Sequence, residues 1–574
     1  MEEIRIGVYV CWCGTNIAKM VDVEKVSEEI ASLPNVALSK TYKYMCSDPG
    51  QDLIVKDIKE NKLNRIVVAA CSPRIHELTF RKALENAGLN PYMFEMANIR
   101  EQVSWVHLDR DAATKKAKSL LAAAINKVQF HEALEKRSVE IDSKTMIIGG
   151  GVAGISAALE IANSGRQVYL IEKSDKLGGH AKNIDLTFPY FQSAQQMLAM
   201  MIKSVENNEK IEVFFNSEVD EVFGYIGNFR STINNRELEF GNVIVATGLK
   251  SIDPTNLGNY AYNRLPDVLT SVEFEKMLQK GEILTKEGKT PKNIAVIHCV
   301  GSRNEITHEY CSRNCCMTAL KFSNQIKSTL PDTNVFELYS DMRAFGKGCE
   351  ELYTKTSRQG VVFLMFDQKD EMPTVVKASK GSDCSMYVIM EERLSGESVE
   401  VPADLVVLMV GVEAQEDAKK IAHAVGISMC GNDFYIEKHP KLDPVATTTD
   451  GVYIVGGCQG PKDIPDSVSQ AKAAAARVLA TINQGKVFVE VTTAVVNEDQ
   501  CCGCQTCVNV CPYTAISYNE EKNVSYVNEI LCKGCGTCGS ACPSGAIASK
   551  HFTDKQIMSQ IEGLMEMYIA EEAL

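Results

Sequence analysis

The chain has 574 residues, enough for three or four domains, because single hydrophobic cores rarely grow past about 250–300 residues. Its 45% hydrophobic and 23% charged content is that of a globular protein, and a formal charge of −14 argues against nucleic acid or an anionic membrane surface as the main partner. No apolar run of about 18 residues predicts a transmembrane helix, and the acidic start Met1-Glu2-Glu3 does not read as a secretion signal, so a cytoplasmic location is expected.

Twenty-one cysteines need a reason. A large cytoplasmic chain has no use for a disulfide scaffold, so ligation of metal or iron–sulfur clusters is the expectation. Residues 4–13, "IRIGVYVCWC", predict a strand ending in Cys11 and Cys13. Cys46 falls in the loop "MCSDPG", and Cys71 ends a second strand, "RIVVAAC". Strand ends of an α/β layer converge on one edge, so these four thiols could share a site. The charged stretch 131–144 reads as a linker.

Residues 145–172, "TMIIGGGVAGISAALEIANSGRQVYLIE", run strand, glycine turn, helix, strand. Gly149 permits the tight turn, Gly151 lets backbone approach a pyrophosphate, and Gly154 lets the helix pack on the strand. Glu172, 18 residues after the last glycine, is placed to accept a ribose hydroxyl. Three further stretches resemble the two-dinucleotide-binding flavoprotein family: "VIVATG" ending at Gly248, "TDGVYIVGG" ending at Gly456-Gly457, and Leu177-Gly178-Gly179. The resemblance implies FAD, with Lys173 beside Glu172 and Gly179 at the nucleotide. It also shows a departure, since Gly457 stands where that family usually has an Asp.

In that family a second nucleotide-binding unit follows. Here the strand-like run 293–297 leads into "HCVGSRN", where Gly301 is the one glycine, so the phosphate turn for NAD(P)H is missing. Cys299, Cys311, Cys315 and Cys316 crowd the same stretch instead. Thiolates from a strand end and a helix start can converge as four corners around a cubane. The run "VFELY" (335–339) predicts the next strand.

Near the C-terminus, "CCGCQTCVNVCP" and "CKGCGTCGSACP" each give C-x2-C-x2-C-x3-C-P. That is the bacterial ferredoxin pattern, in which the fourth cysteine of each run ligates the other cluster. Cys501, Cys504, Cys507 and Cys542 are therefore assigned to one [4Fe–4S] cluster, and Cys532, Cys535, Cys538 and Cys511 to the second. Cys502 fits neither loop and reads as a buried spare.

"CVGSRNEITHEYCSRNCCMTALK", "YKYMCSDPGQ", "VVAACSPRIHE", "NPYMFEMANIREQVSWVH" and "GPKDIPDSVSQAKAAA" resemble HdrA of heterodisulfide reductase and its relatives, across nearly the whole chain. The resemblance implies a cluster on Cys299, Cys311, Cys315 and Cys316 beside the flavin, with Lys321 either at the flavin ring or merely solvated on its helix. It implies a further cluster on Cys11, Cys13, Cys46 and Cys71. Many relatives carry a cysteine where this chain has Val103, and the fullest members insert a ferredoxin module near residue 230, which is missing here. The expected fold class is α/β: a thioredoxin-reductase-like flavoprotein core with an N-terminal α/β domain and a C-terminal 2[4Fe–4S] ferredoxin domain. The expected boundaries are 1–140, 141–290, 291–420, 421–488 and 489–574, with the first, third and last bearing clusters and the second and fourth sharing FAD.

By the same resemblance the chain is an electron-transfer subunit performing flavin-based bifurcation or confurcation between ferredoxin and a heterodisulfide or other acceptor. Its implied partners are HdrB-like and HdrC-like subunits, a small iron–sulfur adaptor of a hydrogenase or formate dehydrogenase, and ferredoxin, with a dimer inside the larger complex. The competing readings are a stand-alone NAD(P)H-dependent iron–sulfur flavoprotein and a quinone-linked relative of HdrA.

Overall fold

Four parallel strands open the chain, in the spatial order Val36–Tyr42, Ile6–Cys11, Arg65–Ala70, Phe94–Asn98. The strand Ile6–Cys11 is buried along its whole length, as a parallel strand covered on both faces must be. Helices Val23–Ile30 and Arg110–Val128 cover one face, and Asp48–Asn61 and Pro73–Ala87 the other. The computed structural model describes residues 3–135, 137–368, 372–489 and 491–572.

This α/β layer and the C-terminal region form one unit, Met1–Ser138 with Phe488–Leu574, where the sequence suggested two separate domains. Two antiparallel strand pairs, Ala494–Val496 with Ile547–Ser549 and Ile516–Asn519 with Val524–Val527, carry the short helices Thr506–Val510 and Thr537–Ala541. The long helix Asp554–Glu572 then lies against Arg110–Val128. Gly563 permits the close approach, since a Cβ there would stand 2.7 Å from the Ala122 carbonyl oxygen. Gln556 Nε2 donates to the Phe130 carbonyl at 2.9 Å, and the His551 ring stacks on His131 with centroids 4.2 Å apart.

The second unit, Val139–Val487, holds two five-stranded parallel sheets. One is ordered Val452–Ile454, Asn242–Val245, Thr145–Ile148, Val168–Ile171, Ile211–Phe214. The other is ordered Val268–Thr270, Leu405–Val410, Asn293–Val300, Asn334–Tyr339, Val362–Met365, so its edge strand comes from ahead of residue 291. Residues around 230 form an uninterrupted antiparallel meander, Phe223–Tyr225, Asn228–Ile233, Arg236–Phe240. Among the described residues no helix is long and apolar enough to cross a membrane.

Candidate flavin and iron–sulfur sites

A cavity of about 780 Å³ opens at the C-terminal edge of the first of these sheets, within the 300–1,000 Å³ expected of a cofactor site. Gly149, Gly151, Glu172, Lys173, Gly179, Gly248 and Gly457 line it. Gly149 sits at φ +107, and an added Cβ would meet the Ala246 carbonyl at 2.5 Å. Gly151 caps helix Val152–Asn163, and a Cβ on it would meet nothing closer than 3.9 Å, so backbone there is open to a pyrophosphate. Gly248, at φ +74, likewise has open space around it. Gly154 and Gly456 do not line the wall. Gly154 acts from behind, because a Cβ would fall 1.9 Å from the Gly149 carbonyl oxygen, and Gly456 N–H donates to Gln470 Oε1 at 2.6 Å.

Glu172 is buried and already accepts three hydrogen bonds: from Gly150 N–H at 2.8 Å, Ser174 N–H at 2.8 Å and the Ser174 hydroxyl at 2.7 Å. A carboxylate offers about four acceptor positions, which leaves capacity for one ribose hydroxyl. Its first task is therefore to hold the glycine turn. The open cradle and this carboxylate suit FAD.

The cavity runs on to Cys315 and Lys321. Lys321 is not solvated: its side chain is 2% exposed, and Nζ donates to both Glu275 carboxylate oxygens at 2.7 Å and to the Leu186 carbonyl at 3.0 Å. Burial pulls its pKa below the usual lysine range, against the opposing pull of Glu275. Glu275 also lines the cavity and escaped the sequence reading, because 46 residues separate it from Lys321 and no motif marks it. His180 is a second wall residue without a sequence signal.

In the second sheet, pairing of Asn293–Val300 with Leu405–Val410 slips register between Ile297 and Val300, and Cys299 sits at φ +58. Such a bulge re-aims a side chain. Gln368 Nε2 closes the turn by donating to the Cys299 and Ser302 carbonyls at 3.2 and 3.1 Å, so the place of a phosphate turn is occupied. Helix Cys315–Thr329 starts with two thiols at its positive end, where a thiolate is favoured. Cys299, Cys311 and Cys316 each lie near enough to Cys315 to act on it electrostatically. Burial pushes Cys299 up to about 12 and Cys315 well above the thiol range. Cys316 differs: burial acts on it too, but His298 brings it below its ordinary value. His298 is fully buried, with Nε2 3.1 Å from Glu337 Oε2, although its Nδ1 makes no hydrogen bond of ordinary geometry.

In the first unit Cys11 ends its strand, Cys71 follows the end of the neighbouring strand Arg65–Ala70, Cys46 lies in the turn after the other neighbour, Val36–Tyr42, and Cys13 follows Cys11 at φ +50. Cys11 Sγ accepts from Cys13 N–H at 3.3 Å and Met45 N–H at 3.4 Å. Cys71, raised by burial to about 11, feels Arg100, Cys13 and Cys46. Val103 packs with Ile99 and Ala97 on the opposite face of the sheet from Cys11 and Cys71. In the C-terminal region Cys532, Cys535 and Cys511 act electrostatically on Cys538. Ala494 N–H and Ala515 N–H point at Cys532 and Cys511 sulfurs, each at 3.3 Å. Cys502 is exposed, not buried as its spare position suggested. Among the described residues no three His, Cys, Asp or Glu side chains gather as around one metal ion.

Comparison with known proteins places the chain. Residues 143–475 match the family described as pyridine nucleotide-disulphide oxidoreductase, and residues 500–547 match the 4Fe-4S dicluster domain. The chain is 42% identical to the A subunit (HdrA) of the H(2):CoB-CoM heterodisulfide,ferredoxin reductase of Methanothermobacter marburgensis over 655 aligned positions, covering 98% of each chain. The namesake from Methanothermobacter thermautotrophicus is 41% identical with the same coverage. This chain belongs to the HdrA family of heterodisulfide reductase. A further relative, the A subunit of the H(2)/formate:CoB-CoM heterodisulfide,ferredoxin reductase of Methanococcus maripaludis, is 36% identical over 98% of this chain and 99% of its own. As a member of the HdrA family the chain is an oxidoreductase that carries FAD and [4Fe–4S] clusters. The 655 aligned positions exceed its 574 residues, so the relative holds internal residues that this chain lacks.

Proposed function

We propose that the chain is the flavin-bearing component of a larger redox complex and distributes the two electrons of a flavin singly along cluster chains, by bifurcation or confurcation. The observation that carries this reading is one cavity wall that includes both the nucleotide-binding glycines with Glu172 and the cluster-set thiol Cys315. FAD supplies electrons in pairs and each cubane takes one, so a flavin against clusters of different potential can send them two ways.

The chain's own residues would divide the labour as follows. Gly151 and Gly248 leave backbone open to the dinucleotide, Gly149 allows the tight turn against Ala246, and Glu172 orders the turn that receives it. The charge-balanced Lys321–Glu275 pair excludes water from the inner end of the cavity and keeps a proton donor, Nζ, fixed there. Cys299, Cys311, Cys315 and Cys316 would hold the flavin-proximal cluster. Cys501, Cys504, Cys507 with Cys542, and Cys532, Cys535, Cys538 with Cys511, would hold the ferredoxin pair, and Cys11, Cys13, Cys46 and Cys71 a fourth cluster. The implied partners are HdrB-like and HdrC-like subunits, an iron–sulfur adaptor of a hydrogenase or formate dehydrogenase, and ferredoxin, with the chain as a dimer inside that complex.

A potentiometric titration of the flavin in the anaerobic full chain tests the proposal. Crossed one-electron potentials, the second electron leaving at a much lower potential than the first, are expected. Crossing shows as a single two-electron wave with no one-electron-reduced flavin accumulating. Build-up of that half-reduced form between two separated waves would contradict the proposal, and NADH bleaching the flavin of the chain alone would favour a nicotinamide-dependent oxidoreductase instead.

A further inference from the structure

Arg100 is the cationic side chain at the N-terminal cysteine site, paired with Glu101, whose carboxylate also acts on Cys71, and nothing in the electron-transfer reading uses it. It begins a π turn, Arg100–Ser104, a rare local form that occurs often at functional positions. Its Nη1 donates to Cys13 Sγ at 3.5 Å, and the same guanidinium acts on Cys46 and Cys71. The group is held in place: Nη2 and Nε donate to Glu101 Oε1 at 2.7 and 3.1 Å, Glu101 N–H is fixed by Asn98 Oδ1 at 3.0 Å, and the guanidinium lies 4.9 Å from the Trp105 ring centroid. With its side chain 16% exposed, the charge is poorly screened by solvent.

The flavin-side site repeats the device. Cys299, one residue before the end of its parallel strand, shares a positive φ with Cys13, two residues past the end of its own, and Arg303, anchored by Asp341, acts on the Cys299 sulfur. The ferredoxin cysteines named above receive backbone N–H groups, while Cys507 meets the hydroxyl of Ser525 at 3.1 Å and Cys535 that of Thr537 at 3.4 Å.

We propose that Arg100 is the potential-setting residue of the N-terminal site: its fixed guanidinium, donating to the Cys13 sulfur, makes that site a better electron acceptor than its four thiolates alone would be. The inference rests on the reading of Cys11, Cys13, Cys46 and Cys71 as cluster ligands. Adding one electron to a thiolate-bound cubane adds one negative charge, and both hydrogen bonds to sulfur and local net charge set the potential. A cation at 3.5 Å stabilises the reduced form more than the oxidised form. Because an arginine stays protonated, the bias holds at any working pH.

The test is an EPR-monitored redox titration with dithionite on the anaerobic full chain, with iron counted in every sample. Cys46→Ser first identifies the signal of the N-terminal site as the one lost. If Cys46→Ser loses neither iron nor a signal, the ligand reading fails and the role of Arg100 falls with it. Given the signal, Arg100→Gln should lower its reduced-to-oxidised ratio at fixed potential about tenfold, equal to about 59 mV for one electron, and leave the other signals unmoved. Arg100→Lys, which keeps the charge and loses the fork, should fall between the two. An unmoved or raised midpoint in Arg100→Gln with iron retained overturns the proposal. So does loss of the cluster in both Arg100 variants, which would make Arg100 a scaffold residue.

Discussion

Replacing Lys321 with Met breaks one half of an ion pair whose side chains are 2% and 6% exposed. The Glu275 carboxylate left behind keeps the Asp185 N–H at 2.7 Å, one neutral donor for a charge that two ammonium hydrogen bonds had balanced. Breaking a buried pair from one side costs about 3–5 kcal/mol. The unit Val139–Val487 spans about 350 residues, and unfolding entropy near 2.1 cal/mol/K per residue turns that cost into a Tm drop of about 4–7 °C. Calorimetry on chain of equal FAD occupancy reads it directly. Adding Glu275→Leu should recover most of the loss, since an apolar pair often replaces a buried ion pair at little cost, so the two changes should be strongly non-additive. A drop below about 1 °C for Lys321→Met, or a double variant that melts lower than the single one, would refute the reasoning.

Glu172→Ala removes the acceptor for Gly150 N–H and for both Ser174 donors, and FAD retained through purification should fall at least about tenfold; full occupancy by absorbance would show that the carboxylate does not organise the turn. Gly154→Ala puts a methyl 1.9 Å from the Gly149 carbonyl oxygen and should abolish FAD binding, whereas Gly165→Ala, with nothing within 4 Å, should not. Burial lowers His131 to about 3, so the unfolded chain gains a proton there below about pH 6.5 that the folded one refuses. Stability of the first unit should then fall by about 1.4 kcal/mol per pH unit on acidification from pH 6.5, and His131→Gln should flatten the Tm-against-pH curve; parallel curves for the two proteins would contradict it.

The motifs that a short stretch of chain completes by itself were legible in the sequence. The glycine turn at 149–154 with Glu172 needs only strand, helix and strand in order, and the two ferredoxin runs carry their spacing within twelve residues each. The strand Asn293–Val300 was also predictable, but its bulge at Cys299 was not, because register slips depend on the neighbouring strand Leu405–Val410. Glu275 and Arg100 were invisible as site residues for the same reason: each gains its role from a partner 46 or 87 residues away. The burial of Lys321 follows from its partner, and the exposure of Cys502 from a loop that leaves it outside the cluster core. Nor could periodicity reveal that helix Asp554–Glu572 returns to Arg110–Val128, since an amphipathic face does not name what covers it.

Iron and FAD counted together on anaerobically purified wild type and Cys315→Ser chain probe the heart of the account, a cluster built where a second nucleotide would otherwise lie. About sixteen irons per chain are expected in wild type, falling by about four in the variant while one FAD stays bound. Equal iron in both proteins, or a wild-type chain with only about eight, would contradict it.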